Sequence, residues 1–482
     1  GPNGLADPVV LLGGGIVIPS NADCNSGDGL YHHPDTHPSL ARQLPPQSAT
    51  GNKYQGGRPF GETDIFFARL KWDLDLSDSL TLSSVSGYLN MDAVDFDNFS
   101  YVGVLPGGQP GGVGSSDPRN RLNQFSQELR ITSDLDGMFN FMVGAFYESR
   151  EFNFDTSQQA VNISLLAPDP VTGSTFDWFK QHNTETEALS FFGSVTLDLT
   201  DQLQLSGGLR WTDEDKVNTI SVPYVHAFLG GGGTFIPSGF FSGPINFSDS
   251  NLSPEASIRY QASDDINIYA SFKTGFKSGG IDNSALPSNS LLGFGDPDPA
   301  VRQATADALI YQSETSIGGE VGVKTQFADR SVTLNASVFY YVFDDLQVQN
   351  FDATAIQFQT FNASQLTTQG LDIEWAWQTP LEGFNLSGSL AYTDAEFTAP
   401  FVTTSGDDIN GRSAARAPKF AGNVAFDFTT PLGDSLEFGL NGNLQYSGSY
   451  LTAQTSLTDF RQDSYVTIDG SVSIGDPDGA WK

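Results

Sequence analysis

Cysteine and basic residues are scarce in this 482-residue chain. Cys24 is its one cysteine, so no disulfide forms within the chain, and a partner for Cys24 would have to lie outside this sequence. There are 23 Lys and Arg residues against 57 Asp and Glu residues, which gives a formal net charge of −34. Nucleic-acid binding requires a basic surface. The charge therefore excludes nucleic acid as a partner.

Long apolar runs are also missing. The most apolar window, between Pro8 and Pro19, contains three consecutive glycines. It is too short to cross a bilayer as a helix, which takes about 20 residues. The first residues lack the basic stretch that opens a signal peptide, so we expect none in this chain. Gly1 opens in loop-like sequence and Lys482 follows directly on a turn. We therefore expect the chain to be an internal part of a longer protein, whose signal would lie upstream.

The chain is rich in pairs of segments in which apolar residues recur at every second position. One of them runs from Leu252 to Phe272, with an apolar or small residue at every second position and a polar turn at Ser263-Asp264-Asp265. A period of two indicates a strand, because successive side chains point to opposite faces. Two such runs around a short turn predict an antiparallel hairpin. Similar pairs recur from Phe66 to Ile474 and predict about fifteen strands.

The connections between these strands alternate in length. Turns of about two to five residues join one end of the strands, and long loops join the other, as in outer-membrane barrels. The alternation persists over about ten residues, which suits a strand that crosses a bilayer, whereas strands of soluble sheets have about five or six residues. A barrel of this size is too wide for side chains to fill. The predicted fold is therefore all-β: a transmembrane antiparallel up-and-down β-barrel with its apolar face toward lipid and its polar face toward a wet lumen.

Five short motifs lie on the predicted strands. They are Gln124-Phe125-Ser126-Gln127-Glu128-Leu129-Arg130, Gly208-Leu209-Arg210-Trp211-Thr212, Tyr269-Ala270-Ser271-Phe272-Lys273-Thr274-Gly275-Phe276-Lys277-Ser278-Gly279-Gly280, Gly370-Leu371-Asp372-Ile373-Glu374 and Arg416-Ala417-Pro418-Lys419-Phe420. With these motifs, in this order, the chain resembles TonB-dependent outer-membrane receptors from about residue 60 to its end.

The resemblance implies an incomplete barrel. Barrels of this family have twenty-two strands and hold an N-terminal plug in the lumen. By this comparison the chain has about 15 of the 22 strands. Residues 1–60 would form a long extracellular loop, and residues 61–482 a barrel segment whose final strands are missing. The plug and the segment that contacts TonB would then lie outside this sequence.

The resemblance also implies a function for the parent protein: active uptake across the bacterial outer membrane, energised through TonB. A ferric siderophore, vitamin B12 (cobalamin) and an oligosaccharide glycan all stay open as the small-molecule ligand. Two alternatives are a passive large-pore porin and a barrel that binds a partner at the cell surface without transport. Membrane lipid and lipopolysaccharide would surround the outer face. Catalytic motifs are missing from the sequence, so we expect no enzyme activity and no cofactor.

Basic residues on the predicted luminal face are the candidate ligand contacts: Arg210, Arg259, Lys273, Lys277 and, beside them, Lys324. A negatively charged ligand would need such residues in a chain that is otherwise strongly acidic.

A weaker candidate for metal binding lies near the start of the chain. His32, His33 and His37 follow Cys24, and imidazole and thiolate groups are metal ligands. Their spacing matches no closed metal motif, so a solvated loop is the alternative. Asn21 to Gly29 is similar to a calcium-binding loop but lacks the bidentate Glu at the required position.

Overall fold

The computed structural model describes residues 9–11, 16–18, 60–98, 104–105, 109–110, 113–116, 118–161, 169, 176–231, 235–282, 286–352, 357–402, 406, 408–433, 435–452 and 460–476. Antiparallel strands dominate these residues. In chain order they are β1 (Val9–Leu11), β2 (Ile16–Ile18), β3 (Phe60–Ser77), β4 (Leu80–Asn98), β5 (Val104–Leu105), β6 (Gln109–Pro110), β7 (Val113–Ser116), β8 (Arg119–Ser133), β9 (Phe139–Val161), β10 (Phe176–Asp198), β11 (Leu203–Val225), β12 (Phe240–Ser263), β13 (Ile266–Lys277), β14 (Gly280–Ile281), β15 (Ile310–Tyr311), β16 (Glu314–Phe327), β17 (Val332–Asp352), β18 (Gln357–Gln378), β19 (Phe384–Phe397), β20 (Phe420–Pro431), β21 (Glu437–Ser447), β22 (Tyr450–Leu451), β23 (Arg461–Gln462) and β24 (Tyr465–Gly475).

Helices are few and short in the described residues. The structure has α1 (Ala227–Gly231), a 3-10 helix (Asn289–Gly295) and α2 (Pro299–Asp307). Within the described ranges, no helix has the length and apolar character needed to cross a membrane.

One sheet contains all the long strands. Its order is β3-β4-β8-β9-β10-β11-β12-β13-β16-β17-β18-β19-β20-β21-β24, and the short strand β7 adds to β4 and β9 beyond the end of β8. Successive long strands are neighbours throughout, which is the up-and-down order that the hairpin repeat predicted. Fifteen long strands confirm the predicted number. In the described part of the chain, β3 and β24 are the free edges of the sheet and do not pair with each other.

Short turns lie at one end of the strands, as predicted, and polar contacts hold them in shape. In the turn between β10 and β11, the backbone N–H of Leu203 donates to Thr200 Oγ1 at 3.0 Å. Between β16 and β17, Ala328, Asp329 and Arg330 all have positive φ. This tight turn brings Arg330 Nε to 2.8 Å from Asp265 Oδ1 in the neighbouring turn.

The apolar side chains of the repeat point outward. Phe66, Val338 and Ile468 have 60%, 53% and 76% of their surface exposed, which is unusual for large apolar residues of a soluble sheet. On β12 the neighbours Ser257 and Ile258 lie on opposite faces and both are exposed. The wall is therefore a single layer at this height, with lipid as the solvent that suits its apolar face.

The strands continue beyond the portion that a bilayer covers, which takes about 10 residues per strand. At this long-loop end an apolar cluster forms from strand residues and from the connecting segments. Its buried members include Ile220 and Ile245 of the wall and Ile281, Leu291 and Leu309 of the described residues between 278 and 313, which are 278–282 and 286–313. These residues, the covering segment, therefore lie against the wall and cover part of it.

Candidate functional site

The inner face of the wall follows from one pair of rings. Phe191 on β10 and Trp211 on β11 are directly opposite and stack on the outer face, with ring centroids 6.1 Å apart. Because successive side chains alternate, the next pair, Phe192 and Arg210, lies on the inner face. The same counting places even-numbered residues of β10 and β11, and odd-numbered residues of β12 and β13, on the inner face.

Arg210 is held by aromatic rings on this inner face. Its guanidinium carbon lies 5.5 Å from the ring centroid of Phe146 and 5.2 Å from that of Phe192. One guanidinium nitrogen, Nη2, donates to Ser190 Oγ at 2.9 Å. A cation over an aromatic face is attracted by the negative potential of the ring. These contacts fix the orientation of Arg210.

Arg259, Lys273 and Lys277 lie on the inner face of the next two strands and are exposed. Lys273 is directly opposite Glu255, and Lys277 Nζ lies 3.9 Å from Glu314 Oε2. Lys273 and Lys277 are four residues apart on one strand, a separation of about 13 Å at about 3.3 Å per residue. The basic residues of these three strands, Arg210, Arg259, Lys273 and Lys277, therefore form a basic column on β11, β12 and β13, not a compact cluster.

Acidic and aromatic groups share this sector of the wall. The Tyr269 hydroxyl donates to Glu320, and Lys324 Nζ lies 5.8 Å from the Tyr269 ring centroid. A cation over an aromatic face at an exposed site contributes about 0.5–1 kcal/mol. The sector presents both signs of charge to whatever occupies the lumen.

Lys216 lies higher on the inner face of β11 and fixes the covering segment. Its Nζ lies 2.8 Å from Glu214 Oε1, and it donates to Ser278 Oγ at 2.9 Å and to the Gly279 carbonyl at 2.5 Å. Lys216 was not among the candidate residues named from the sequence. Because side chains alternate along a strand, Lys216, six positions after Arg210 on β11, is expected on the same inner face as Arg210.

Two further titratable groups, also missed, are buried near the long-loop end of β10. Lys180 is 1% exposed and His182 is 2% exposed. Burial lowers the pKa of Lys180 to about 7, while the nearby Asp282 acts in the opposite direction. Burial also holds the pKa of His182 well below its ordinary value, and the charge of Lys180 adds to this effect. His182 is therefore neutral at physiological pH, with one donor and one acceptor nitrogen.

The candidates for metal binding cannot be placed. His32, His33, His37 and Cys24 lie outside the described residues. Among the residues that are described, no group of three or more His, Cys, Asp or Glu side chains could hold a metal ion.

The sheet order, the outward apolar face and the polar inner face together match a known family. A family model described as "TonB dependent receptor-like, beta-barrel" matches residues 18–479. The chain belongs to this family. Proteins with this barrel reside in the outer membrane of Gram-negative bacteria, so the short turns are periplasmic and the long loops are extracellular.

Individual relatives agree on the fold. The structure of the ferric yersiniabactin uptake receptor FyuA from Yersinia pestis has a TM-score of 0.64 and 17% identity, over 86% of this chain and 54% of that chain. The siderophore receptor PiuA from Acinetobacter baumannii has a TM-score of 0.61 and 17% identity, over 86% and 58%. The pesticin receptor of Yersinia enterocolitica is 26% identical over 322 residues, 63% of this chain and 41% of that receptor. The chain thus spans about half the length of its relatives.

Proposed function

We propose that the full-length protein takes up a scarce ligand across the outer membrane and that TonB supplies the energy. The observation that carries the proposal is the two-faced wall: exposed apolar side chains lie on its outer face and charged side chains on its inner face. A barrel with this many strands encloses a lumen too wide for side chains to fill. A plug in that lumen would have to be moved for a ligand to pass, which requires work from the inner membrane. TonB would reach the plug from the periplasmic side, through a part of the protein outside this sequence.

We propose a ferric siderophore as the first ligand to test, ahead of vitamin B12 and oligosaccharides. One relative is described as a ferric yersiniabactin uptake receptor and another as a siderophore receptor. The exposed members of the basic column, Arg259, Lys273 and Lys277, support a ligand that carries negative charge.

Uptake by intact cells tests the energised step. Cells that produce the full-length protein should accumulate radiolabelled ferric siderophore, and a proton uncoupler or deletion of TonB should abolish accumulation while leaving surface binding intact. Accumulation that survives both treatments would identify a passive pore. Binding without accumulation under any condition would identify a surface-binding barrel.

Charge removal tests the basic column. The triple variant Arg259→Gln, Lys273→Gln, Lys277→Gln should weaken binding of an anionic ferric siderophore by about tenfold, because about 1.4 kcal/mol corresponds to a factor of 10 and each exposed charge contributes at most about 1 kcal/mol. Isothermal titration of the purified full-length protein measures the dissociation constant.

Arg330→Gln is the matched control for that variant, because Arg330 is an exposed arginine in a periplasmic turn, away from the extracellular entrance. Its affinity should equal that of the wild type. Equal affinities for the triple variant and the wild type would remove the basic column from the binding site without bearing on transport itself.

A further inference from the structure

A strip of buried polar side chains runs along the inner face of the extracellular wall. Three rows of the β10–β11 ladder define it: His182 opposite Ile220, Thr184 opposite Asn218, and Thr186 opposite Lys216. From His182 to Thr186 the strip spans about 13 Å, since a strand rises about 3.3 Å per residue. All six residues lie on the inner face, above the portion of the wall that lipid surrounds.

Three side chains of the strip have polar atoms that lack a hydrogen-bond partner among the described residues. They are both ring nitrogens of His182, Oγ1 of Thr186 and Oδ1 of Asn218. The three side chains are only 2%, 2% and 0% exposed. Asn218 Nδ2 donates to Thr184 Oγ1 at 2.7 Å. Exchanging the amide oxygen and nitrogen would leave the nitrogen unpaired instead, so one end of the amide lacks a partner in either orientation.

The covering segment passes over these rows with little side chain of its own. Lys216 binds the Gly279 carbonyl at one end of the strip, and Ile281 shares an apolar cluster with Ile220 at the other. Gly279 is itself one of these anchors, and Gly280 lies between them. A Cβ on Gly279 would clash with the Tyr311 carbonyl oxygen, and a Cβ on Gly280 would lie 2.8 Å from the Tyr311 hydroxyl oxygen, so β15 backs both glycines closely. The two glycines themselves bring no polar side chain to the strip.

The charge and the hydrogen-bonding capacity of the unpartnered atoms restrict the kinds of ligand that can bind them. All three groups are neutral, and together they offer both donors and acceptors. No carboxylate is among them, so they are poor ligands for a hard cation, which prefers several oxygen ligands. The acceptor end of Asn218 does not favour an anion. Water matches them in size and in having both donors and acceptors, and buried water typically makes about three hydrogen bonds to buried polar groups that are otherwise unsatisfied.

We propose that His182, Thr186 and Asn218 bind a short row of ordered water molecules, enclosed between β10–β11 and Gly279–Ile281. The water completes the hydrogen bonding of the wall at the point where Gly279 and Gly280 of the covering segment have no side chains. The covering segment is then joined to the wall by Lys216 at one end, by apolar contacts at the other and by water between them.

A crystal structure of the full-length protein without an uptake ligand tests the site directly, at a resolution that shows ordered water. The expected result is a water oxygen within about 3.2 Å of a His182 ring nitrogen, of Thr186 Oγ1 and of the Asn218 amide. A protein side chain bonded to these atoms, or a strip without solvent density, would overturn the proposal.

Thr186→Val provides a second test, because valine keeps the shape of threonine and removes only the hydroxyl. If the strip binds water, the variant loses a bound water and its urea midpoint in detergent should fall, while Thr186→Ser should retain the bound water. If no water binds the buried hydroxyl, the hydroxyl has no hydrogen-bond partner and destabilises the protein. Removing it should then raise the urea midpoint. Thr196→Val, lower on the same face of β10, is the matched control. Thr196 Oγ1 lies 3.4 Å from Ser206 Oγ, which is too long for a strong hydrogen bond, so the midpoint should stay close to that of the wild type.

Discussion

Ile258→Arg should lower the free energy of unfolding in lipid vesicles by about 2–4 kcal/mol, the cost of a basic side chain on the lipid face near the bilayer midplane. Ile258 lies on the outer face of β12, five residues before the periplasmic end of the strand at Ser263, and is 42% exposed. That position puts it close to the middle of the hydrocarbon. The measurement is urea unfolding of the full-length protein in vesicles, followed by tryptophan fluorescence.

Ser257→Arg is the matched control for this prediction. Ser257 is the adjacent residue on β12, faces Ser206 and Ser271 across the two ladders, and is exposed on the luminal side. An arginine there reaches water, so its effect should stay within about 0.5 kcal/mol. Losses of equal size for the two variants would contradict the assignment of the faces.

Lys216→Met should release the segment that covers the extracellular wall. The Lys216 and Glu214 side chains are only 11% and 14% exposed, and removing one partner of a buried pair leaves the other charge uncompensated, at a cost of about 3 kcal/mol or more. The hydrogen bonds to Ser278 and Gly279 are lost as well. Hydrogen exchange measured by mass spectrometry should therefore show faster exchange at residues 278–281 and 309–313.

Lys277→Met separates this effect from a general loss of charge. The Lys277 side chain is 61% exposed, and its Nζ lies 3.9 Å from Glu314, so its ion pair is weak. Exchange of the covering segment should stay at the wild-type rate in this variant. Unchanged exchange in Lys216→Met would show that the apolar cluster alone holds the segment.

The part of the fold that lies in the membrane could be predicted from the sequence because one rule governs it: apolar residues point outward to lipid and polar residues point inward. On β12, the apolar positions from Leu252 to Tyr260 are the outward positions, and the turn at Ser263-Asp264-Asp265 fixes where the strand ends. The hairpin register followed from these two features. Lipid on one side and water on the other keep the pattern simple.

Above the membrane the same strand continues, but the pattern reverses. Ile245 and Phe247 lie on the inner face and are buried under the covering segment, while Asn246 and Ser248 lie on the outer face. Water now lies outside the wall and an apolar cluster inside it. Along β12 the apolar residues change from odd to even positions, so no single alternating pattern covers the whole strand. The predicted strand therefore began at Leu252, whereas the observed strand begins at Phe240.

In the covering segment, the start of helix α2 could have been predicted from local sequence signals. Asp298 caps α2 by accepting from the Ala300 N–H at 2.9 Å, and Pro299 occupies the first turn. Asp followed by Pro is a recognisable helix start. Lys216 bonds to Ser278, 62 positions away in the chain, and Lys180 lies near Asp282, 102 positions away, so these contacts were not predictable from local pattern.

Accessibility along one strand tests the two-faced wall most directly. Single cysteines at residues 252–261 of β12, in a Cys24→Ser background of the full-length protein, can carry a nitroxide spin label in lipid vesicles. Collisions with oxygen, which concentrates in lipid, should be most frequent at the even positions, and collisions with a water-soluble nickel complex at the odd positions. Profiles with no period of two, or with the two phases exchanged, would contradict a barrel wall between lipid and a water-filled lumen.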